Sequence, residues 1–212
     1  MPLGNLFLHH RGFWTRDRKQ SIYHGALLVA ASILVQLTLG RYSSRTALDG
    51  NAVGDVFLDN LPVVDLGWLI VQGALIVWVL ASVFLALRPR FLLFGMKAIA
   101  LFVIVRSFFN SLTHIGVYPE QIEFDPTHAG YGFYKLLTFE GNFFFSGHTA
   151  FPFLMALVFW DEKPLRYFYL VLTGIFGAAV LLSHVHYSID VFAAPFITYA
   201  IYKAAERLFP RD

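Results

Sequence analysis

An all-α membrane protein, six transmembrane helices in a bundle with both termini cytoplasmic, is the fold class that the sequence predicts. Three observations predict it. The 212 residues are 57% hydrophobic and only 14% charged, whereas a soluble domain carries about 25% charged residues. Apolar stretches near the ~20 residues that a span requires recur six times. The basic residues between them fall mostly on one side. Disorder, coiled coil, collagen and an ordinary cytosolic enzyme are thereby excluded. A net charge of +2 gives no reason to expect nucleic acid as a partner. The absence of cysteine excludes disulfides and zinc-thiolate sites.

Residues 1–20 form a basic N-terminal segment. Its stretch Asn5–Trp14 alternates apolar and basic side chains, and reads either as an interfacial amphipathic helix or as a frayed tail. No apolar run of about 7–15 residues follows a basic start before Arg11, so no cleaved signal is expected. A transmembrane catalytic domain, 21–205, follows. Its expected spans are Ser21–Leu39, Leu66–Leu87, Phe91–Thr113, Phe143–Trp160, Tyr167–Leu182 and Tyr187–Tyr202. Short turns at Arg88-Pro89-Arg90 and Asp161–Arg166 alternate with longer polar loops at Gly40–Asp65 and Gly116–Asn142, and 206–212 form a tail. Eleven basic residues fall on the side of the termini and short turns, against Arg41, Arg45 and Lys135 opposite. That excess places both termini in the cytoplasm.

Ionisable groups within a bilayer are costly, so each is a candidate functional residue. Lys97 lies near the cytoplasmic end of its span and can snorkel. Arg106, His148 and the pair His186 and Asp190 come from three separate segments yet fall at one membrane level on the outer side. His186 and Asp190 are four apart, which on one helical turn puts them on a shared face. Asp190 can take the proton of one ring nitrogen and leave the other as a nucleophile, while His148 protonates a leaving group. Ser146 and Gly147 precede His148 at a helix N-terminus, where free backbone N–H groups favour an anion. Two histidines, a carboxylate, an anion nest and an arginine describe phosphoryl transfer without metal. Three alternatives stay open: a metal site built from His148, His184, His186 and Asp190, interhelical polar packing, and a transporter or channel using these groups as a relay.

The pattern resembles a known family. Ser146-Gly-His-Thr149 followed by His186-Tyr-Ser-Ile-Asp-Val191 resembles the superfamily of lipid phosphatases and phosphotransferases named for type 2 phosphatidic acid phosphatases. Within it, Glu140-Gly-Asn-Phe-Phe-Phe-Ser-Gly-His-Thr149 is most similar to the sphingomyelin synthase branch, whose motifs read roughly C-G-D-x-x-x-S-G-H-T and H-Y-T-[IV]-D-V. Glu140 and Asn142 stand where that branch has Cys and Asp. The resemblance implies a His–His–Asp triad: His186 as nucleophile, Asp190 as its partner and His148 as acid or base. Arg106, Ser146, Gly147, Asn142 and Tyr187 are the expected phosphate and head-group binders. No metal and no other cofactor is expected.

The phosphatase branch resembles K-x6-R-P, S-G-H and S-R-x5-H-x3-D. Here Ala81 stands in place of its Lys, and Ala179 and Val180 in place of its Ser-Arg. A monoester carries up to two negative charges and a diester one, so the lost cations argue for a phosphodiester, with Arg106 sufficient for one charge. The expected partners are membrane lipids: a phospholipid donor, and a diacylglycerol or ceramide-like acceptor or water. Homo-oligomerisation is left open. The expected setting is a bacterial plasma membrane, with the active site on the extracytoplasmic side. The loop Gly116–Asn142 carries Phe124, Tyr131, Phe133 and Tyr134, aromatics suited to a lid, a head-group contact or an interfacial anchor.

Overall fold

The computed structural model describes residues 13–47, 50–112, 114–139 and 144–209. Seven helices run through the described residues: α1 (Arg16–Ala47), α2 (Gly67–Ala86), α3 (Pro89–Leu112), α4 (Tyr131–Leu137), α5 (Gly147–Val158), α6 (Lys163–Leu182) and α7 (Ser188–Leu208). No strand occurs among them. Four helices, α1, α2, α3 and α6, are long and apolar enough to cross a membrane, in keeping with a multi-pass membrane protein.

The expected fourth and sixth spans take a different form. α5 has 12 residues, about 18 Å of helix, well short of a hydrocarbon core of about 30 Å. It begins at Gly147 because Phe145 has a positive φ of 31° and Ser146 is the N-cap. α7 is long, but Asp190 in its first turn and Lys203, Glu206 and Arg207 near its end dilute its apolar character. The amphipathic segment Asn5–Trp14 lies outside the described residues, apart from its last two.

Short as it is, α5 is the centre of the bundle. It packs on α6, α7, α3 and α2, and Leu154, Met155, Ala156, Val158 and Ala150 are fully enclosed. Around it Phe91, Phe94, Phe102, Phe159, Tyr169 and Phe176 complete the main core. α1 is peripheral and docks along α3. Its buried residues are Gly25, Ser32, Gly40, Ser43 and Ala47, a seam of small side chains. Because lipid is as apolar as a helix face, close backbone approach rather than hydrophobic burial drives such docking. A Cβ on Gly25 would stand 3.3 Å from Met96 Cβ, and one on Gly40 would run into the Phe139 ring.

The two short turns lie together at one end of the bundle, where Arg88 pairs with Glu162 at 2.7 Å and Arg90 with Asp161 at 3.7 Å. Lys97 donates to Ser21 near the start of α1 and lies 5.8 Å from the Phe209 ring after α7, so it is tied to the chain ends and is not part of the polar cluster around Arg106.

Gly95 tests the packing around α5. A Cβ there would meet Leu85 Cδ2 at 2.8 Å and Val158 Cγ1 at 3.6 Å. Replacing Gly by Ala in a helix gains about 1 kcal/mol of propensity, which offsets a small shift of the flexible Leu85. Gly95→Ala should therefore be near neutral in detergent unfolding. Gly95→Leu should lose about 1–3 kcal/mol through overpacking, and equal stability of the two variants would contradict this packing.

Candidate active site

The site is built at two helix N-termini. At the first, Ser146 caps α5 and its hydroxyl accepts from the Thr149 N–H at 3.4 Å. Gly147 follows, and its missing Cβ matters: a Cβ there would lie 3.2 Å from both Cζ and Nε of Arg106. The glycine thus lets the guanidinium lie against the start of the helix. His148 is the next residue, part-buried, one position into α5.

Arg106 reaches this point from α3, about two turns before its C-terminus. Its Nε donates to the Phe145 carbonyl at 3.3 Å. Asn110, one turn further along α3, accepts from Arg106 Nη1 at 3.2 Å and donates to the Phe144 carbonyl at 2.8 Å, with its amide in the orientation that satisfies both. Phe145 holds its positive φ, a sparsely populated conformation for a non-glycine residue, while its fully buried ring packs on Phe102 and Phe144. The Arg106–Asn110 pair therefore binds the strained bend that precedes Ser146.

The second N-terminus belongs to α7. His186 lies before it, Tyr187 occupies the N-cap and Asp190 sits in the first turn. His186 and Asp190 therefore meet across a helix beginning, not on one helical face as their spacing suggested. His186 Nδ1 lies 3.3 Å from Asp190 Oδ2, and both residues are buried. The two helix beginnings are joined directly, since the Ser146 N–H donates to the Asp190 carbonyl at 2.9 Å. The His148 and His186 rings come within 6.1 Å, and Arg106 is close enough to interact with Asp190, His148 and His186.

The structure thus brings together Arg106, Ser146, Gly147, His148, His186 and Asp190. Asn142 and Glu140 lie outside the described residues. Tyr187 is buried and its hydroxyl serves the loops, donating to the Gly116 carbonyl at 2.9 Å and accepting from the Val53 N–H at 3.4 Å. His184, needed by the four-ligand metal alternative, packs its buried ring edge-on to Tyr118 at 5.2 Å. Among the described residues no three His, Cys, Asp or Glu are arranged to hold a metal ion.

Two further side chains stand at the site, one of them, Tyr134, expected only as a loop aromatic and the other, Asp55, without an expected role. Tyr134 of α4 shares a 3.0 Å hydrogen bond with His148 Nε2; the only signal for it was its place among the loop aromatics. Asp55, from the loop between α1 and α2, caps α7 from outside: its Oδ2 accepts from the Ser188 N–H at 2.6 Å. Its Oδ1 accepts from Phe57 and Leu58, which fixes the carboxylate. Burial works to raise the Asp55 carboxyl, but the bonds from Ser188, Leu58 and Phe57 outweigh it and hold the group below its ordinary value.

Residues 141–207 match the family described as "PAP2 superfamily C-terminal", a segment that contains Ser146, Gly147, His148, His186 and Asp190. A 56-residue stretch of the chain is 43% identical to an uncharacterized protein of Methanocaldococcus jannaschii, covering 26% of this chain and 23% of that protein. The chain thus spans about a quarter of the length of the curated relative it matches. The match covers 67 of the 212 residues and likens this segment to the type 2 phosphatidic acid phosphatase superfamily.

Removing the outside cap should be measurable. Asp55→Ala should cost about 0.5–2 kcal/mol in detergent unfolding at neutral pH. A depressed carboxyl contributes stability above its unfolded-state value, near pH 4, and loses it as pH falls through the lower folded-state value. The gap between wild type and variant should accordingly be constant from pH 7 to about 5 and close only at more acid pH. A gap that is absent at pH 7, or that widens on acidification, would remove Asp55 from this role.

Proposed function

We propose that the chain is an integral membrane lipid phosphotransferase that acts on the phosphodiester of a phospholipid head group through a phosphohistidine, with His186 as nucleophile, Asp190 as its partner and His148 as acid and base. The observation that carries this is the joined pair of helix N-termini, which sets His186–Asp190 opposite His148 with Arg106 against Gly147.

The chemistry follows from that arrangement. Asp190 accepts the proton of His186 Nδ1, leaving Nε2 to attack phosphorus. The bond from phosphorus to the diacylglycerol oxygen breaks, and that oxygen takes a proton supplied by His148. The phosphoryl head group is now on His186. An acceptor hydroxyl, of a diacylglycerol or ceramide-like lipid or of water, gives its proton back towards His148 and attacks phosphorus, and the nitrogen–phosphorus bond breaks. Arg106 and the α5 N-terminus stabilise the charge on the non-bridging oxygens.

A diester is favoured over a monoester by the positions where the phosphatase branch has its further polar and cationic residues. Ala81, Ala179 and Val180 occupy them, and all three are buried apolar residues. With the termini and the Arg88 and Glu162 turns cytoplasmic, the site opens to the extracytoplasmic leaflet.

The test is a head-group assay in mixed micelles with and without added ceramide or diacylglycerol. Phosphatidylcholine or phosphatidylethanolamine should yield diacylglycerol, an acid-labile phosphoprotein should form, and His186→Ala should abolish both. His148→Ala should slow turnover by about 10²–10⁴-fold. Inorganic phosphate from phosphatidic acid as the principal product would instead establish a lipid phosphate phosphatase. Full turnover by both histidine variants would refute the triad.

A further inference from the structure

The two ring nitrogens of His148 have different surroundings. Nδ1 is buried and has no hydrogen-bond partner among the described residues. Nε2 shares its 3.0 Å hydrogen bond with the Tyr134 hydroxyl. The ring packs near-parallel to Phe176 at 6.1 Å and against Tyr134 at 6.0 Å. Among the described residues, the hydrogen-bond partner of the His148 ring is thus the Tyr134 hydroxyl, at Nε2.

Tyr134 is held to that place by more than the one bond. It is 5% exposed, lies stacked on Trp78 of α2 at 6.3 Å, and meets the edge of Phe124 at 6.0 Å. The short helix that carries it is tied at both ends, by the Gln72 amide donating to the Ala129 carbonyl at 3.3 Å and by the Gln36 amide donating to the Leu137 carbonyl. Gly130, with φ of 80°, starts the helix so close to Leu75 that a Cβ would come within 2.5 Å of Cδ1. Burial pushes the Tyr134 hydroxyl above the ordinary tyrosine range, so at neutral pH it carries its proton.

We propose that Tyr134 is a further catalytic residue, relaying the proton between His148 Nε2 and the lipid oxygen. This rests on the phosphotransfer proposed above. As the bond from phosphorus to the lipid oxygen breaks, the Tyr134 O–H gives its proton to that oxygen while Nε2–H gives its proton to the tyrosine oxygen. His148 ends neutral and Tyr134 keeps an O–H. In the second half-reaction the acceptor hydroxyl passes its proton to Tyr134 while Tyr134 passes its own to Nε2. The phenol is never a net acid; it is a bridge.

Tyr134→Phe keeps the ring and its packing and removes only the bridge, so the leaving group can be used to read its role. Full-length protein in micelles is given phosphatidylcholine, whose alkoxide needs a proton, and 4-nitrophenyl phosphocholine, whose nitrophenolate does not. Turnover of phosphatidylcholine should fall by about 10²-fold in Tyr134→Phe, while the burst rate of nitrophenolate release stays close to wild type. His148→Ala should slow turnover of phosphatidylcholine at least as much. Equal slowing on both substrates would mean lost packing and would overturn the relay, as would unchanged turnover of phosphatidylcholine. Should the wild type release nothing from either diester, phosphotransfer itself fails and the relay falls with it.

Discussion

The hydrogen bond from the Ser146 N–H to the Asp190 carbonyl joins residues 44 positions apart in the chain and ties the beginnings of α5 and α7 together. Ser146 is fully buried, and a buried backbone N–H without an acceptor costs several kcal/mol where water cannot reach it. The acceptor it finds lies in the first turn of the other helix. The separation between His148, two residues beyond Ser146, and the His186–Asp190 pair is therefore set by backbone on backbone, without depending on the flexibility of a loop or a long side chain. The short length of α5 follows from the same constraint. Its start is held at the level of α7's start, and the strained backbone at Phe145 turns the chain into it.

Two converging N-termini also create an electrostatic setting. Each carries roughly half a positive charge from its unpaired N–H groups, and Arg106 adds a full one. Such a site favours anions, both the Asp190 carboxylate and a phosphoryl group. The Ser-Gly-His triplet can be understood residue by residue. Serine caps the helix, glycine admits the guanidinium at 3.2 Å, and histidine supplies the titratable nitrogen. A Cβ at 147 would oblige Arg106 to give way by a few tenths of an ångström at the end of the helix where the two positive sources add.

The expected span bounds lie nearest to the structure at α2 and α3. The expected spans Leu66–Leu87 and Phe91–Thr113 correspond to Gly67–Ala86 and Pro89–Leu112, whereas the expected Ser21–Leu39 is part of the longer Arg16–Ala47, which takes in the start of the expected loop Gly40–Asp65. Phe143–Trp160 misjudged α5, because an apolar run says nothing of a strained bend at Phe145 that starts the helix late. At the site, Arg106, His148, His186 and Asp190 stood out as ionisable groups in apolar surroundings. Asn110 was legible only in retrospect, one turn from Arg106 on the same helix. Asp55 was not legible, and Tyr134 was legible as a loop aromatic but not as a partner of His148. Each acts on a partner that the folded chain brings to it: Asp55 caps a helix that begins 133 residues later, and Tyr134 meets His148 through a seven-residue helix whose composition carries no amphipathic signal.

The loops explain how a rigid site persists at the end of a bundle. Ser183, just past α6, donates to the Val64 carbonyl at 2.8 Å and accepts from the Leu66 N–H at 3.2 Å. Tyr187 ties the α7 start to Gly116 and Val53, Asp55 ties it to its own loop, and Asp59 accepts from Tyr118 at 2.7 Å. The corner between α6 and α7 is thus fastened to both long loops by hydrogen bonds that need no metal, disulfide or long helix. Unpaired buried polar groups are costly, and backbone groups of the loops pair Ser183, Tyr187 and Asp55 here, whereas both ring nitrogens of the buried His184 have no hydrogen-bond partner among the described residues. Asp190 and His186 can then remain buried and mutually oriented.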